Sequence, residues 1–313
     1  MLYALKRLVT AVPTLLLVAL AVFGLMRLVP GDPAQLMLGD AADPAQIQSL
    51  RASMGLDKPI PVQFALWLRS ALAGDLGTSL ANGQKVLPLV LDRFQVTATI
   101  VLMAVALAAL VSVPLGLLAA WRQNSVLDLA VVSVATLLLS VPSFWLGLLL
   151  LLLFGLELGW LPVVGYVGFR EDAGAALQYV VLPVATLVLV ETGVLTRMAR
   201  ASAIDVLRLE YVAHARSKGL SESAVLLRHV LPNAFAPTLT LLGVVLGHLL
   251  GGIAVIETVF TLPGLGRLLV DGIYGRDYPV VQGTMLFVAT IYVLVNIATD
   301  LLYPLFDPRV TVE

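Results

Sequence analysis

The chain has 313 residues, 59% of them hydrophobic and 12% charged, with a mean hydropathy of +0.98 and a formal net charge of -1. Soluble domains carry about a quarter charged residues, so the composition excludes a soluble protein and marks an integral membrane protein. A near-neutral charge without a long basic run gives no sign of nucleic-acid binding, and the absence of cysteine excludes disulfides, thiolate metal sites and cysteine nucleophiles.

Residues 1–7 are short and basic, and residues 8–26 are apolar without a charge, long enough at 1.5 Å per residue to cross about 30 Å of hydrocarbon. This stretch exceeds the apolar region of a signal peptide and is predicted to be a retained first span. Character changes at residue 29. Pro30, Pro33, Pro44, Pro59 and Pro61, several glycines and mixed charges make 29–95 an extramembrane segment, with short helices expected over 44–54 and 61–73. The remainder, 96–313, reads as a five-helix core with spans over 96–121, 129–156, 179–196, 234–256 and 280–302. The fold class is therefore all-α, with six transmembrane helices. Pro114 and Pro142 fall inside spans, where kinks are expected. Trp160 suits an interface, and 161–168 is a turn-rich loop.

Orientation follows from the short loops. With the N-terminus inside, Lys6, Arg7, Arg122, Arg197, Arg200, Arg208, Arg216, Lys218, Arg228 and Arg309 collect on the cytoplasmic face, and the opposite face spreads its basic residues over much longer loops. Both termini are then cytoplasmic, and 29–95 is extracytoplasmic.

Within the fifth predicted span, Gly243, Gly247 and Gly251 recur every four residues, with Gly252 adjacent, so one face carries almost no side chains and backbones can approach closely. Tight packing inside the chain and a subunit interface beside a substrate path both satisfy that pattern. His248 lies on the same span and Glu191 in the preceding one. Ionisable groups at such depth face protein or a water-filled cavity, so both are candidates for lining a path or for internal hydrogen bonding. Glu257, beside the loop that begins at Thr261, is read as structural.

A polar, basic island at 201–232 separates the fourth and fifth spans. Tyr211, Val212 and Ala215 fall at helical spacing, Gly219 stands where a helix ends in a left-handed residue, and Ser221 can cap a second short helix. That second helix carries Val225, Leu226, Val230 and Leu231 and is expected to stop at Pro232.

The run Tyr211-Val212-Ala213-His214-Ala215-Arg216-Ser217-Lys218-Gly219-Leu220, followed by Arg228-His229-Val230-Leu231-Pro232-Asn233-Ala234, resembles the EAA coupling loop of ABC importer permeases of the dipeptide, oligopeptide and nickel branch. Ala215 and Gly219 match the family's second alanine and glycine, while Ala213 and His214 stand where it has glutamate and its first alanine. The fragments 29–33, 54–59, 74–79, 257–267 and 275–283 are similar to the first permease of that family's pair, so the likeness spans nearly the whole chain. It implies a permease subunit that works by alternating access, paired in a bacterial or archaeal inner membrane with a homologous second permease, two ATPase subunits and an extracytoplasmic solute-binding protein. Tyr211, Ala215, Arg216, Lys218, Gly219 and Leu220 would then couple the chain to an ATPase, Ala215 packing against an ATPase groove. The cargo implied is a dipeptide or oligopeptide, with nickel, metal chelates and glutathione as alternatives on the same architecture.

No nucleophile elbow, paired-histidine motif or G-x-x-x-x-G-K-[ST] phosphate loop occurs, so the chain is not read as an enzyme, and no cofactor or metal is assigned to it. ATP and magnesium belong to the partner ATPases. An ion-coupled secondary transporter is the reading from another class, but Glu191 is the one mid-span carboxylate and no inverted repeat is visible. A scaffold or channel would leave the glycine-ended basic loop without purpose. Because the chain lacks cysteine, single cysteines at Ser49 and Ser221 report topology without background. They should react with an impermeant reagent from opposite sides, and labelling of both from outside defeats the orientation.

Overall fold

The computed structural model describes residues 2–28, 33–38, 43–53 and 55–306. Met1, residues 29–32 and 39–42, Met54 and residues 307–313, with Arg309 and parts of two family-like fragments, lie outside the described residues, as does the burial of Gly252.

The described residues form helices and connecting turns, with one isolated bridge between Thr78 and Lys85. Helix α1 is Leu2–Leu28, and three short helices follow, α2 Pro33–Leu38, α3 Pro44–Ser53 and α4 Ile60–Leu72. Then come α5 Val86–Trp121, α6 Val126–Ser140 and α7 Ser143–Leu150, the last running into a π-helical stretch, Leu151–Glu157. Helix α8 is Ala173–Leu207, α9 Glu210–Ser217 and α10 Glu222–Val225, which passes through a π-helical turn, Leu226–Val230, into α11 Leu231–Gly252. The chain ends with α12 Ala254–Val259, α13 Leu265–Tyr274 and α14 Tyr278–Phe306. Among the described residues five helices are long and apolar enough to cross a membrane, six crossings if α6 and α7 count as one.

That pair departs from the sequence reading of 129–156 as one kinked span. The axes bend by 97° between Ser140 and Ser143. The proline ring disfavours helical backbone in the residue before it, and Val141 adopts φ -91°, ψ 125°, so Pro142 ends one helix and caps the next rather than bending a continuous one. Pro114, by contrast, stays inside continuous α5. A second difference falls at Pro232, where the short helix was expected to stop. The helical path continues from Glu222 through α11, with Pro232 in the first turn after the π-helical widening, where its missing N–H matters least.

Helix α5, about 54 Å long at 1.5 Å per residue, is the spine. Its N-terminal end packs Val86 and Val90 against Leu265 and Val280, its middle packs Ile100, Val101 and Ala104 against Leu187 and Leu250, and its C-terminal end packs Leu117 and Ala120 against Ala203, Val212 and Val230. The second and third clusters pair successive parts of α5 with successive parts of α8, so the two run parallel. At Gly116 the helices touch: a Cβ there would lie 2.7 Å from the Ala199 Cβ and 2.8 Å from the Thr196 carbonyl oxygen.

Three carboxylates close helix ends. Glu257 accepts from the Thr97 hydroxyl at 2.5 Å and from the Arg267 N–H at 2.8 Å, while Thr97 in turn accepts from the Leu265 N–H, so one carboxylate joins α5, α12 and the first turn of α13. This is the structural role expected of Glu257. Asp277 accepts from the Ser79 hydroxyl at 2.5 Å and from the Ala81 N–H, and caps α14 through the Val280 N–H. Asp128 is the third, held by Arg200. Gly116→Leu places a side chain where backbone already stands. It should destabilise the purified protein by about 1–3 kcal/mol, read as a lower thermal unfolding midpoint in detergent. An unchanged midpoint would show that α5 and α8 can separate freely.

Candidate coupling and translocation site

The hairpin of α9, the Gly219 turn and α10 lies against the C-terminal ends of α5 and α8. Val212 and Ala215, 0% and 6% exposed, join Leu117, Ala120, Ala203, Ile204, Val206, Val225, Leu226, Val230 and Ala234 in one apolar cluster. Gly219 takes φ +81°, and its N–H donates to the Arg216 carbonyl at 2.9 Å. A Cβ there would meet nothing within 4 Å, so the need for glycine is conformational rather than steric. Across the turn the Arg216 guanidinium makes two hydrogen bonds to Glu222, at 2.8 and 3.1 Å, and the Trp121 indole N–H donates to the same carboxylate at 3.1 Å. Ser221 caps α10 by accepting from the Ala224 N–H.

Magnitudes rank these interactions. A fully buried valine contributes about 1.5–3 kcal/mol, whereas a part-exposed ion pair such as Arg216–Glu222 contributes about 0–1 kcal/mol. The hairpin is therefore held by its apolar underside, and the ion pair sets the angle between its two arms. The position of Ala215 corrects the expectation that its methyl group packs into a groove on another protein: it faces this chain's interior and seats α9. The surface turned outward is formed instead by His214, Lys218, Leu220, Arg228 and Leu227, the last 60% exposed, while Tyr211 is half-buried at the hairpin's edge.

Beside the hairpin, Asp128 of α6 takes two hydrogen bonds from Arg200 of α8, at 2.5 and 2.7 Å, and also accepts from the Asn124 N–H at 2.9 Å. Sequence reasoning missed this pair. Asp128 was not singled out and Arg200 was counted only as a loop charge; the spacing of 72 residues offers no periodicity that would join them.

The path candidates fall in different places. Glu191 is buried on α8, 8% exposed, next to Thr192 and near Thr196. The Thr192, Thr196 and Ser112 hydroxyls are buried without a hydrogen-bond partner among the described residues. They give the helix interface a polar strip that the sequence reading did not identify. Gly243 and Gly247 are buried against α14: a Cβ at Gly243 would overlap the Thr299 side chain, and one at Gly247 would lie 2.8 Å from the Tyr292 ring. Gly251 has ordinary contact with Val288. The close approach along this face is thus made inside the chain, while His248 points away from it and is exposed.

Residues 112–312 match the family model described as "Binding-protein-dependent transport system inner membrane component", and residues 1–101 match "Binding-prot-dependent transport system membrane comp, N-term". The chain is 44% identical over 306 residues to a putative peptide transport system permease protein of Brucella suis biovar 1 (strain 1330), covering 98% of each chain. It is 42% identical over 308 residues to a glutathione transport system permease protein of Pectobacterium atrosepticum and 36% identical over 328 residues to a dipeptide transport system permease protein of Alkalihalophilus pseudofirmus, again over 98% of each chain.

The two alanines of α9 separate the inner and outer surfaces experimentally. Ala215→Glu buries a carboxylate in the apolar cluster and should loosen the hairpin of the isolated subunit, seen as faster limited proteolysis between Arg208 and Arg228. Ala213→Glu, on the exposed side, should change stability by no more than about 0.5 kcal/mol and leave the digestion rate unaltered. Equal rates for the two variants would contradict the burial of Ala215.

Proposed function

The chain belongs to the binding-protein-dependent inner-membrane transport components, and on that premise we propose that it forms one half of the translocation path of an ATP-driven importer of short peptides. Its partners would be a second, homologous permease, two ATPase subunits that bind ATP and magnesium, and a solute-binding protein on the outer side of a bacterial or archaeal inner membrane. The hairpin face would then be cytoplasmic. The peptide class rests on the names of the relatives, two given to peptide or dipeptide transport and one to glutathione, itself a small peptide.

The observation that carries the coupling role is the attachment of the α9–α10 hairpin. It is embedded by Val212, Ala215, Val225 and Val230 into the ends of both α5 and α8, yet offers Lys218, Leu220, Leu227 and Arg228 outward. A push on that outer face would be transmitted to the two longest parallel helices without first unfolding the hairpin, because its underside is already close-packed. In this reading ATP binding draws the ATPases together and the hairpins follow. The permease pair then opens away from them, and hydrolysis resets it. Glu191 and the Thr192, Thr196 and Ser112 hydroxyls are buried in this structure and would meet cargo or water only once the permease pair opens.

In the assembled transporter, Lys218→Glu combined with Leu220→Asp changes only exposed side chains. It should spare insertion and pairing while abolishing substrate-stimulated ATP hydrolysis and uptake. Gly219→Val, strained by about 1–2 kcal/mol at a left-handed φ, should do the same by tilting the two arms. Reconstituted complexes that keep full stimulated hydrolysis and uptake with both sets of changes would end the proposal.

A further inference from the structure

At the C-terminal end of α1, a cavity of about 430 Å³ opens between α1, α4, the turn before α5 and the first turn of α14. Its aromatic walls are Phe23, Trp67 and Tyr278, and its principal polar groups are Arg27, Gln63 and Asp75. Phe23 and Trp67 stand with ring centroids 5.8 Å apart, and the Arg27 guanidinium lies 5.0 Å over the Phe23 ring. Aromatic rings and an arginine at the end of a membrane-crossing helix are the composition of a membrane interface.

Two polar atoms here have no hydrogen-bond partner among the described residues. One is the Tyr278 hydroxyl, on a residue only 7% exposed, and the other is the Gln63 Oε1. The Gln63 amide nitrogen is already engaged, donating to the Leu56 and Lys58 carbonyls at 3.1 and 2.7 Å. What is left is an acceptor at Gln63, a hydroxyl at Tyr278, a cation at Arg27 and a carboxylate at Asp75. Asp75 accepts from the Gly77 N–H at 3.0 Å and has Lys85 at 4.0 Å, so it keeps acceptor capacity. Buried polar atoms are ordinarily paired, so the Tyr278 hydroxyl and the Gln63 oxygen call for a partner, and the exposed Arg27 and Asp75 beside them suit one with an anion at one end and a hydrogen-bearing cation at the other. The adjoining wall is α1, whose Leu16, Leu17, Leu20 and Leu25 are exposed and suited to acyl chains.

We propose that this cavity holds the headgroup of a phospholipid with a primary ammonium, phosphatidylethanolamine, its phosphate toward Arg27 and Tyr278, its ammonium toward Gln63 and Asp75, and its acyl chains along α1. Phosphatidylcholine has no N–H to offer Gln63, and phosphatidylglycerol has no cation to offer Asp75. A free dipeptide shares the zwitterion but leaves the apolar face of α1 uncovered. The site is independent of the cargo and of ATPase coupling.

The full-length chain, delipidated in detergent, would be titrated with dioleoyl phosphatidylethanolamine, phosphatidylglycerol and phosphatidylcholine, and bound lipid counted by native mass spectrometry. Phosphatidylethanolamine should be retained about fivefold over the other two. Arg27→Ala should lower the retention of all three lipids, Arg27→Lys should keep it, and Asp75→Asn should lower phosphatidylethanolamine to the level of phosphatidylglycerol. Equal retention of all three lipids by the unaltered chain overturns the proposal, as does undiminished lipid retention in Arg27→Ala or an undiminished preference in Asp75→Asn. Displacement of the bound lipid by equimolar dialanine would assign the cavity to a soluble zwitterion and overturn it equally.

Discussion

At Gly116 the absence of a side chain lets α5 rest on the backbone of α8 near Thr196 and Ala199, and the rest of the molecule is arranged around that contact. Between helices in lipid, apolar side chains gain little by leaving one apolar surrounding for another. Association depends on closeness of approach, and small residues set it. Gly193 repeats the device against the Ala135 carbonyl of α6, and Gly243 and Gly247 repeat it against α14. The bundle is therefore zipped by glycine at successive interfaces, with α5 and α8 as its parallel centre.

Polar chemistry is concentrated where helices end. Glu257, Asp277 and Asp128 each satisfy the orphan N–H groups or loops at one helix start while binding a partner far away in sequence, Thr97, Ser79 and Arg200 respectively. A carboxylate at a helix N-terminus is favoured by the macrodipole and by the free N–H groups. Breaking any one of these links would leave buried groups unpaired, so the ends of the bundle are fixed more specifically than its apolar middle. The α9–α10 hairpin shares this design: an apolar underside gives it strength, and Arg216, Glu222 and Trp121 give it one orientation.

Taken together, the close-packed hairpin, the long parallel helices and the buried polar strip near Glu191 are the features on which the proposed coupling rests. Similarity over 98% of the chain to permeases of peptide and glutathione transport systems places it among the permease subunits of such importers.

Much of this was legible in the residues. Apolar stretches of membrane length are recognisable because lipid tolerates little else, and the glycine turn at Gly219, the cap at Ser221 and the coupling-loop resemblance depend on local backbone chemistry that neighbouring residues determine. What could not be read were the facts that require a second element. Whether Pro142 bends a span or ends it depends on what the two pieces pack against, and here they diverge by 97°. Whether Ala215 looks outward or inward depends on the ends of α5 and α8, which fold back over it from about a hundred residues upstream and from the preceding helix. The glycine face of α11 announced a close approach but not its partner, which is α14 of the same chain. The sequence by itself determined the membrane class, the helices and the turn chemistry, since each follows from interactions within one or two helical turns. Only the tertiary structure decided which face each helix buries and which buried polar groups find partners, because those outcomes belong to pairs of distant residues and appear in neither residue alone.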